Sequence, residues 1–299
     1  MSLGSSKRDK KSQVRMLDED FEVSRIGTDG DMKRYAELMH ELDGNVDAIG
    51  LGGLDRYFWV DDVRYTISDA DKLARVAVKT PVVDGSGVKN TVERKTVEYM
   101  QEHNLVDFHQ SNVFVVSAVD RFGMAQSIAE LAKAVIFGDL MFGIGVPIPL
   151  HSYKQLRIIA KLLLPIVTRL PFKWIYPTGA SQDVIIPKYG HLYKWADIVA
   201  GDYLIIKRSM PTVESGFLAG KTILTNTVTE EDTVLFRERG VKLLVTGTPK
   251  YDGRYYATNV FEAMMVAILG KRPEDITKSD YEELMVRLKW EPTITWLNN

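Results

Sequence analysis

Cysteine is absent from the 299-residue chain. That alone excludes disulfides, iron–sulfur clusters and thiolate zinc sites. A basic excess is missing too: 38 Lys and Arg against 40 Asp and Glu leave a formal net charge of -2. Duplex-binding surfaces show a basic surplus, so no nucleic-acid partner is expected. Long apolar runs are also lacking. The most hydrophobic stretch, "IIAKLLLPIVTRLPFKWIYP", is broken by Lys161, Pro165, Arg169 and Pro171. It falls short of the roughly 18 to 20 uninterrupted apolar residues a spanning helix needs, and reads as a buried helix ending near Pro165 and then a connector. The opening "MSLGSSKRDKKSQVR" has no apolar core, so no secretory signal is expected. The five histidines show no H-x-x-x-H or H-E-x-x-H spacing, which points to no metal site. No G-x-S-x-G elbow is present either. The expectation is a soluble, cytoplasmic protein without a membrane partner, with a small molecule as substrate and homodimerisation left open.

What is present is the composition of a globular protein, 45% hydrophobic and 26% charged, in a chain long enough for two domains. Strand-like and helix-like segments alternate. In the first third, "FEVSRIG", "VDAIGLGG" and "TPVVDGSG" read as strands, and "YFWVDDVRYTI" as a peripheral hairpin. Helical segments lie between them, among them "DMKRYAELMHEL", "SDADKLARVAV" and "KNTVERKTVEYMQEH". A second alternation supplies "NVFVVSA", "AVIFGD", "ADIVAGDYLII", "KTILTNT" and "KLLVTGT" as strands, with the helix "TEEDTVLFRERG" before the last. "TNVFEAMMVAILG" reads as a helix capped by Gly270, and the tail as helix-like through "TITWLNN". This pattern predicts an α/β protein of two three-layer domains with mainly parallel sheets, the second Rossmann-like, and a cleft between them. The predicted divisions are 1–104 on the substrate side, 105–257 for nucleotide binding, and 258–299 as C-terminal helices packing back.

Open parallel sheets bind ligands beyond the carboxyl ends of their strands. Four loops there are rich in glycine, hydroxyls or carboxylates: "LGSSKRD", "GTDGD", "GLGGLD" and "DGSGVKNT". Converging, they would offer free backbone N–H groups to a substrate, through Gly27, Thr28, Asp29, Gly52, Gly53, Asp55, Ser86 and Asn90. "DGSGVKNT" carries the most chemistry. It opens a helix beside a lysine, which suits an anionic group, and Lys89 with Asp84 forms the candidate proton-transferring pair. In "VSAVDRFGMA" small residues follow a strand where a dinucleotide loop would lie, although most glycines of G-x-G-x-x-G are missing. Ser117, Ala118, Asp120, Arg121, Phe122 and Gly123 are the candidate cofactor contacts. Asp139 lies about 20 residues beyond Ala118, the offset of a ribose-binding carboxylate, and would favour NAD over NADP. Thr225, Asn226 and Thr248, after later strands, extend the candidate cofactor surface, and "AGD" (Ala200 to Asp202) would line the same crevice.

Together "GTDGDM", "GLGGLD", "VVDGSGVKNTVER", "VSAVDRFGMA", "FGDLMFGIGVPIPL", "TRLPFKWIYPTG" and "TNTVTEED" resemble a family of microbial proteins labelled quinate 5-dehydrogenase. The likeness runs from about Leu3 to Lys271. It implies a relative of the shikimate and quinate dehydrogenases: a substrate domain, a Rossmann domain, a catalytic lysine–aspartate pair in the cleft, and NAD or NADP as cofactor. Lys89 sits in "DGSGVKN" rather than in that family's N-V-T-x-P-x-K motif. The resulting expectation is NAD(P)-dependent oxidation of a small hydroxylated, anionic substrate. A non-redox α/β enzyme (a transferase or lyase) and a two-domain binding protein are the alternatives.

Overall fold

The computed structural model describes residues 1–61, 63–171, 184–226, 228–248, 250–251 and 254–298. The chain opens with an antiparallel hairpin, β1 (Lys10–Met16) and β2 (Glu19–Arg25). Leu17 and Asp18 close it, both at positive φ, as a tight two-residue turn requires. α1 (Met32–Leu42) begins where the Asp31 carboxylate accepts from the N–H groups of Lys33 and Arg34. Next come β3 (Ile49–Gly50), β4 (Tyr57–Val60), β5 (Val63–Thr66), α2 (Ser68–Ala74), β6 (Val82–Val83) and α3 (Ser86–Glu102). β4 and β5 pair as the expected hairpin. In this first part β3 pairs in parallel with β6, and Ser2 makes single parallel bridges to Gly27 and Gly52.

The remaining elements are β7 (Asn112–Val115), α4 (Phe122–Leu131), β8 (Ala134–Phe137), α5 (Asp139–Gly143), α6 (Tyr153–Val167), α7 (Gly190–Trp195), β9 (Ile198–Ala200), α8 (Tyr203–Ser209), β10 (Thr222–Thr225), α9 (Glu230–Glu238), β11 (Leu243–Thr246), β12 (Lys250–Tyr251), β13 (Arg254–Tyr255), α10 (Thr258–Leu269), α11 (Lys278–Arg287) and β14 (Thr293–Trp296). Six of these strands form one sheet in the order β14-β11-β10-β9-β7-β8, parallel except for β14. Counted from β7, the parallel order is the flavodoxin-like 2-1-3-4-5 and differs from the 3-2-1-4-5-6 of dinucleotide-binding sheets. The order reverses between β7 and β9. Crossovers leave there in opposite directions and open a crevice.

Alternate residues of the central strands enter two cores. Val113, Val115, Leu224 and Val245 pack with α4 and α6, while Phe114, Val199, Ile223 and Leu244 pack with α7, α8 and α9. Helices therefore cover both faces, which explains why these strands are continuous apolar runs. A third core joins Val88 and Val92 of α3 to Phe261 and Met265 of α10, Tyr281 and Leu284 of α11, and Val14 and Met16 of β1.

Three elements differ from the sequence reading. "ADIVAGDYLII" is not one strand: β9 ends at Ala200, Gly201 takes φ +128°, and Asp202 caps α8 through the N–H groups of Leu204 and Ile205. The tail ends in β14, which pairs with β11. α6 runs through Pro165 to Val167 and leaves Ile158, Leu162 and Ile166 exposed, so it is not a buried helix. Of the connector behind it, residues 172–183 lie outside the described residues.

α3 and α4 approach closely at Gly123, where a Cβ would lie 2.5 Å from the Asn90 carbonyl oxygen. Gly123→Ala is expected to cost about 1–3 kcal/mol in urea unfolding by forcing the helices apart. Gly143→Ala, with no atom within 4 Å of the added methyl, should stay within about 0.5 kcal/mol.

Candidate functional site

Ser86, Lys89, Asn90 and Glu93 recur along α3 at spacings of three and four, and so share one helical face. That face meets the loop after β7. Together with Tyr57 and Trp59 of β4 they line a narrow cleft closed on its other side by Val119, Asp120, Arg121 and Phe122. Asp202, from the loop after β9, reaches the same cluster. The cleft thus sits where the strand order reverses, the usual ligand position in such sheets.

Buried charge dominates it. Arg121, 3% exposed, donates from one terminal nitrogen to Glu93 Oε1 and from the other to Asp202 Oδ2 at 2.9 Å; its Nε stands 3.5 Å from Asp120. Lys89 Nζ lies 3.6 Å from Asp55 and 3.8 Å from Asp120. Two cations therefore hold four carboxylates. Burial works to lower the Lys89 pKa, but Asp55, Asp120 and Glu93 outweigh it and Arg121, and hold the ammonium above its ordinary value. Burial pushes Glu93 up to about 7, against the pull of Arg121 and Lys89. Asp120 is also raised, first by burial. Among the described residues, Trp59 Nε1, Asn90 Oδ1 and Glu93 Oε2 are buried without a hydrogen-bond partner, Asn90 Oδ1 lying against Gly123, while Arg121 Nε has only its 3.5 Å ion pair with Asp120.

The structure brings Lys89, Asp55, Ser86, Asn90, Asp120, Arg121 and Phe122 together as candidates from the sequence. It separates Asp84 from Lys89. Asp84 instead accepts from the N–H groups of Arg56, Tyr57 and Ser86, which fixes the hairpin against α3, and the expected Lys89–Asp84 pair is replaced by Lys89 with Asp55 and Asp120. Glu93 escaped the sequence reading, although its place seven residues after Ser86 on the α3 face was a usable signal.

Four amides of the N-terminal glycine loops are taken up by the chain itself. Thr28 N–H donates to Ser2, Asp29 N–H to Gly4 and Gly52 N–H to Met1, while Gly27 N–H donates to Asp9. The Asp29 carboxylate accepts from Ser6, and Gly53, at positive φ, packs on Leu3. Gly27, Thr28, Asp29, Gly52 and Gly53 thus pack against the chain's own first residues. At the start of α3, the place expected to hold a ligand anion is filled by Glu262 of α10. Its Oε2 accepts from Gly85 N–H at 2.6 Å and its Oε1 from the Tyr281 hydroxyl at 2.7 Å.

The loop after β7 is similarly occupied. Asp139 Oδ1 accepts from the N–H groups of both Ala118 and Val119 at 2.9 Å; burial pushes this carboxyl up to about 7. Ser117 Oγ accepts from Asp202 N–H, and Gly123 faces Asn90. Thr225 Oγ1 donates to the Gly201 carbonyl, and Asn226 binds Tyr203 N–H and Asp202. The Thr248 carbonyl accepts from Thr293, away from the cleft lining. As folded, these residues do not fit a dinucleotide in the expected pose, because the amides meant for pyrophosphate and the carboxylate meant for ribose satisfy each other. Among the described residues no group of three or more His, Asp or Glu could hold a metal ion, and no helix is long and apolar enough to cross a membrane.

Residues 87–297 match the family described as "Domain of unknown function (DUF8754)". The chain belongs to that family. Residues 1–84 match a second, "Domain of unknown function (DUF8753)". The junction between the two matches falls at Gly85 and Ser86, inside the site: Asp55, Tyr57 and Trp59 come from the first, and Lys89, Glu93, Asp120, Arg121 and Asp202 from DUF8754. No curated protein matches the chain by sequence. Among solved structures, a protein from Mycobacterium smegmatis is similar at 13% identity over 91% of this chain and 81% of its own, with a TM-score of 0.36. An NAD-dependent malic enzyme from Thermotoga maritima gives 12%, 87%, 71% and 0.33 in the same terms. A periplasmic solute-binding protein from Actinobacillus succinogenes with bound D-allose gives 11%, 89%, 82% and 0.36.

Burial and the nearby Asp84 push Glu262 up to about 8, well above an unfolded glutamate. Folded protein then holds a proton that unfolded chain has lost, so this group's contribution falls as pH rises from about 4.5 to about 8. Glu262→Gln is expected to flatten that slope and to raise stability at pH 8 by at least about 1 kcal/mol, read from urea unfolding at pH 5 and pH 8.

Proposed function

We propose that the chain binds a small polar molecule in this cleft and performs acid–base chemistry on it, with Glu93 as the proton-transferring group. The observation that carries this reading is Glu93 itself. One carboxylate oxygen is engaged by Arg121, the other is buried in the cleft lining with no partner among the described residues, and burial pushes the group up to about 7. A purely structural ion pair gains from satisfying both oxygens. A general base needs one of them free and a pKa near the working pH.

In this reading Glu93 Oε2 takes a proton from a ligand hydroxyl, and the negative charge left on the ligand oxygen lies beside Arg121 and the Lys89 ammonium. Lys89 acts as a fixed cation rather than as a base, because its carboxylate partners hold it protonated. Oxidation of that alcohol by NAD or NADP, the finer expectation from the sequence, would require the dinucleotide to displace Asp139 from the amides of Ala118 and Val119. No step is assigned to it.

The test is thermal melting of wild type and Glu93→Gln against small hydroxylated metabolites, NAD, NADP and their reduced forms. A ligand at about 100 times its Kd adds about 2.7 kcal/mol to stability. At least one small metabolite should raise the wild-type Tm and lose most of that effect in Glu93→Gln, while the dinucleotides alone shift neither protein. A uniform response of both proteins to every compound would overturn the proposal.

A further inference from the structure

We infer that α6 is a membrane-surface contact: its outward face lies on anionic phospholipid headgroups, with Ile158, Leu162 and Ile166 reaching the acyl boundary. This goes beyond the cleft and does not depend on its ligand.

The first support is the pattern along the helix. α6 (Tyr153–Val167) buries Leu156, Ala160 and Leu164 on one side. At the same spacing of four, Ile158, Leu162 and Ile166 repeat on the opposite side and stand 50%, 65% and 63% exposed. A surface helix of a globular protein turns one apolar stripe to its core and presents polar residues to water. Here the outward side carries a second apolar stripe, with exposed Pro165 beside it. The loop before the helix adds exposed Ile144 and Ile148.

The second is charge. From Leu140 to Pro171 the sequence has no Asp or Glu, in a chain that holds 40, while Lys154, Arg157, Lys161 and Arg169 fall in that stretch. Arg157 and Lys161 share one carboxylate, that of Asp61, so the helix keeps a positive surplus. Lys154 and Arg169 are exposed. Lying four residues before Ile158 and three after Ile166, they sit on the side of the stripe, one at each end. Apolar side chains framed by cations suit a helix lying in the plane of an anionic bilayer.

The third separates possible occupants. A second copy would bring the same cations together, with no acid on the helix to meet them. The 15-residue helix is about 22 Å long and about 10 Å wide. Its face offers roughly 220 Å², against roughly 800 Å² per partner in a stable dimer. A bilayer needs no matching shape and adds its own negative surface potential. The missing long apolar run argued against a membrane partner only in the sense of a spanning helix; a helix lying flat needs no such run.

The experiment sediments the full chain with vesicles of phosphatidylcholine alone, or of phosphatidylcholine with phosphatidylserine, at low and high salt. Leu162→Ser, Lys154→Gln and Arg169→Gln are run beside wild type. All three side chains are exposed, and thermal melting verifies that each variant folds. Wild type should partition at least about tenfold more strongly onto the anionic vesicles and lose that preference at high salt. Leu162→Ser should weaken binding about tenfold, and each lost cation by up to about fivefold. No binding of wild type to anionic vesicles would overturn the inference, as would equal binding to both vesicle types or equal binding by wild type and Leu162→Ser. So would a wild-type dimer in sedimentation velocity that Leu162→Ser dissociates, which would assign the stripe to a second copy.

Discussion

One guanidinium joins three parts of this molecule. Arg121, at the start of α4, is held by Glu93 of α3, by its neighbour Asp120, and by Asp202 from the loop after β9. It therefore ties the first part of the chain to both sides of the crevice where the sheet order reverses. Breaking one contact of such a buried cluster costs about 3–5 kcal/mol, yet replacing the whole cluster by well-packed apolar side chains is often neutral or stabilising. Stability alone thus explains the cluster poorly. Among the described residues one oxygen of Glu93 and the indole N–H of Trp59 have no partner in this lining, which is what the proposed ligand site requires.

A second constraint follows from what the chain does with its own polar groups. Two places that look like anion sites are filled from within, one by Glu262 at the start of α3 and the other by Asp139 at the loop after β7. Both carboxylates bridge elements distant in sequence, and both are pushed up by burial. The glycines nearby let backbone approach backbone. Gly85, at positive φ, leaves no room for a Cβ against Asn259 of α10, so its freedom serves the packing of α10 on α3. With those sites closed, the chemistry concentrates on Glu93, Lys89 and Arg121.

Much of the fold was legible in the sequence. The buried central strands, the β4–β5 hairpin, the helix begun at Thr229 and the glycine cap at Gly270 all follow from local pattern and cap chemistry, and the α/β class follows from their alternation. What escaped was set by tertiary pairing. β1 is mostly polar or charged and buries Ser12, Val14 and Met16 on its inward face, and β14 is defined by β11 rather than by its own residues. The site was half legible: Lys89, Asp55, Asp120 and Arg121 converge, as loops at one sheet edge should. Glu93 did not stand out because a charged residue inside a helix normally faces solvent. Asp139 had the expected spacing but a different task, since offset alone does not distinguish a carboxylate that binds ribose from one that binds its own loop.

The most direct measurement is a carbon-13 NMR titration of the glutamate side-chain carboxyls, with Glu93 assigned by comparison with Glu93→Gln. The Glu93 carboxyl should titrate with a midpoint near 7 in the folded protein, as a buried base held by Arg121 with one oxygen free. A midpoint near the ordinary 4.5 would mean that Glu93 is a permanently ionised partner of Arg121, and the account of the cleft as an acid–base site would be wrong.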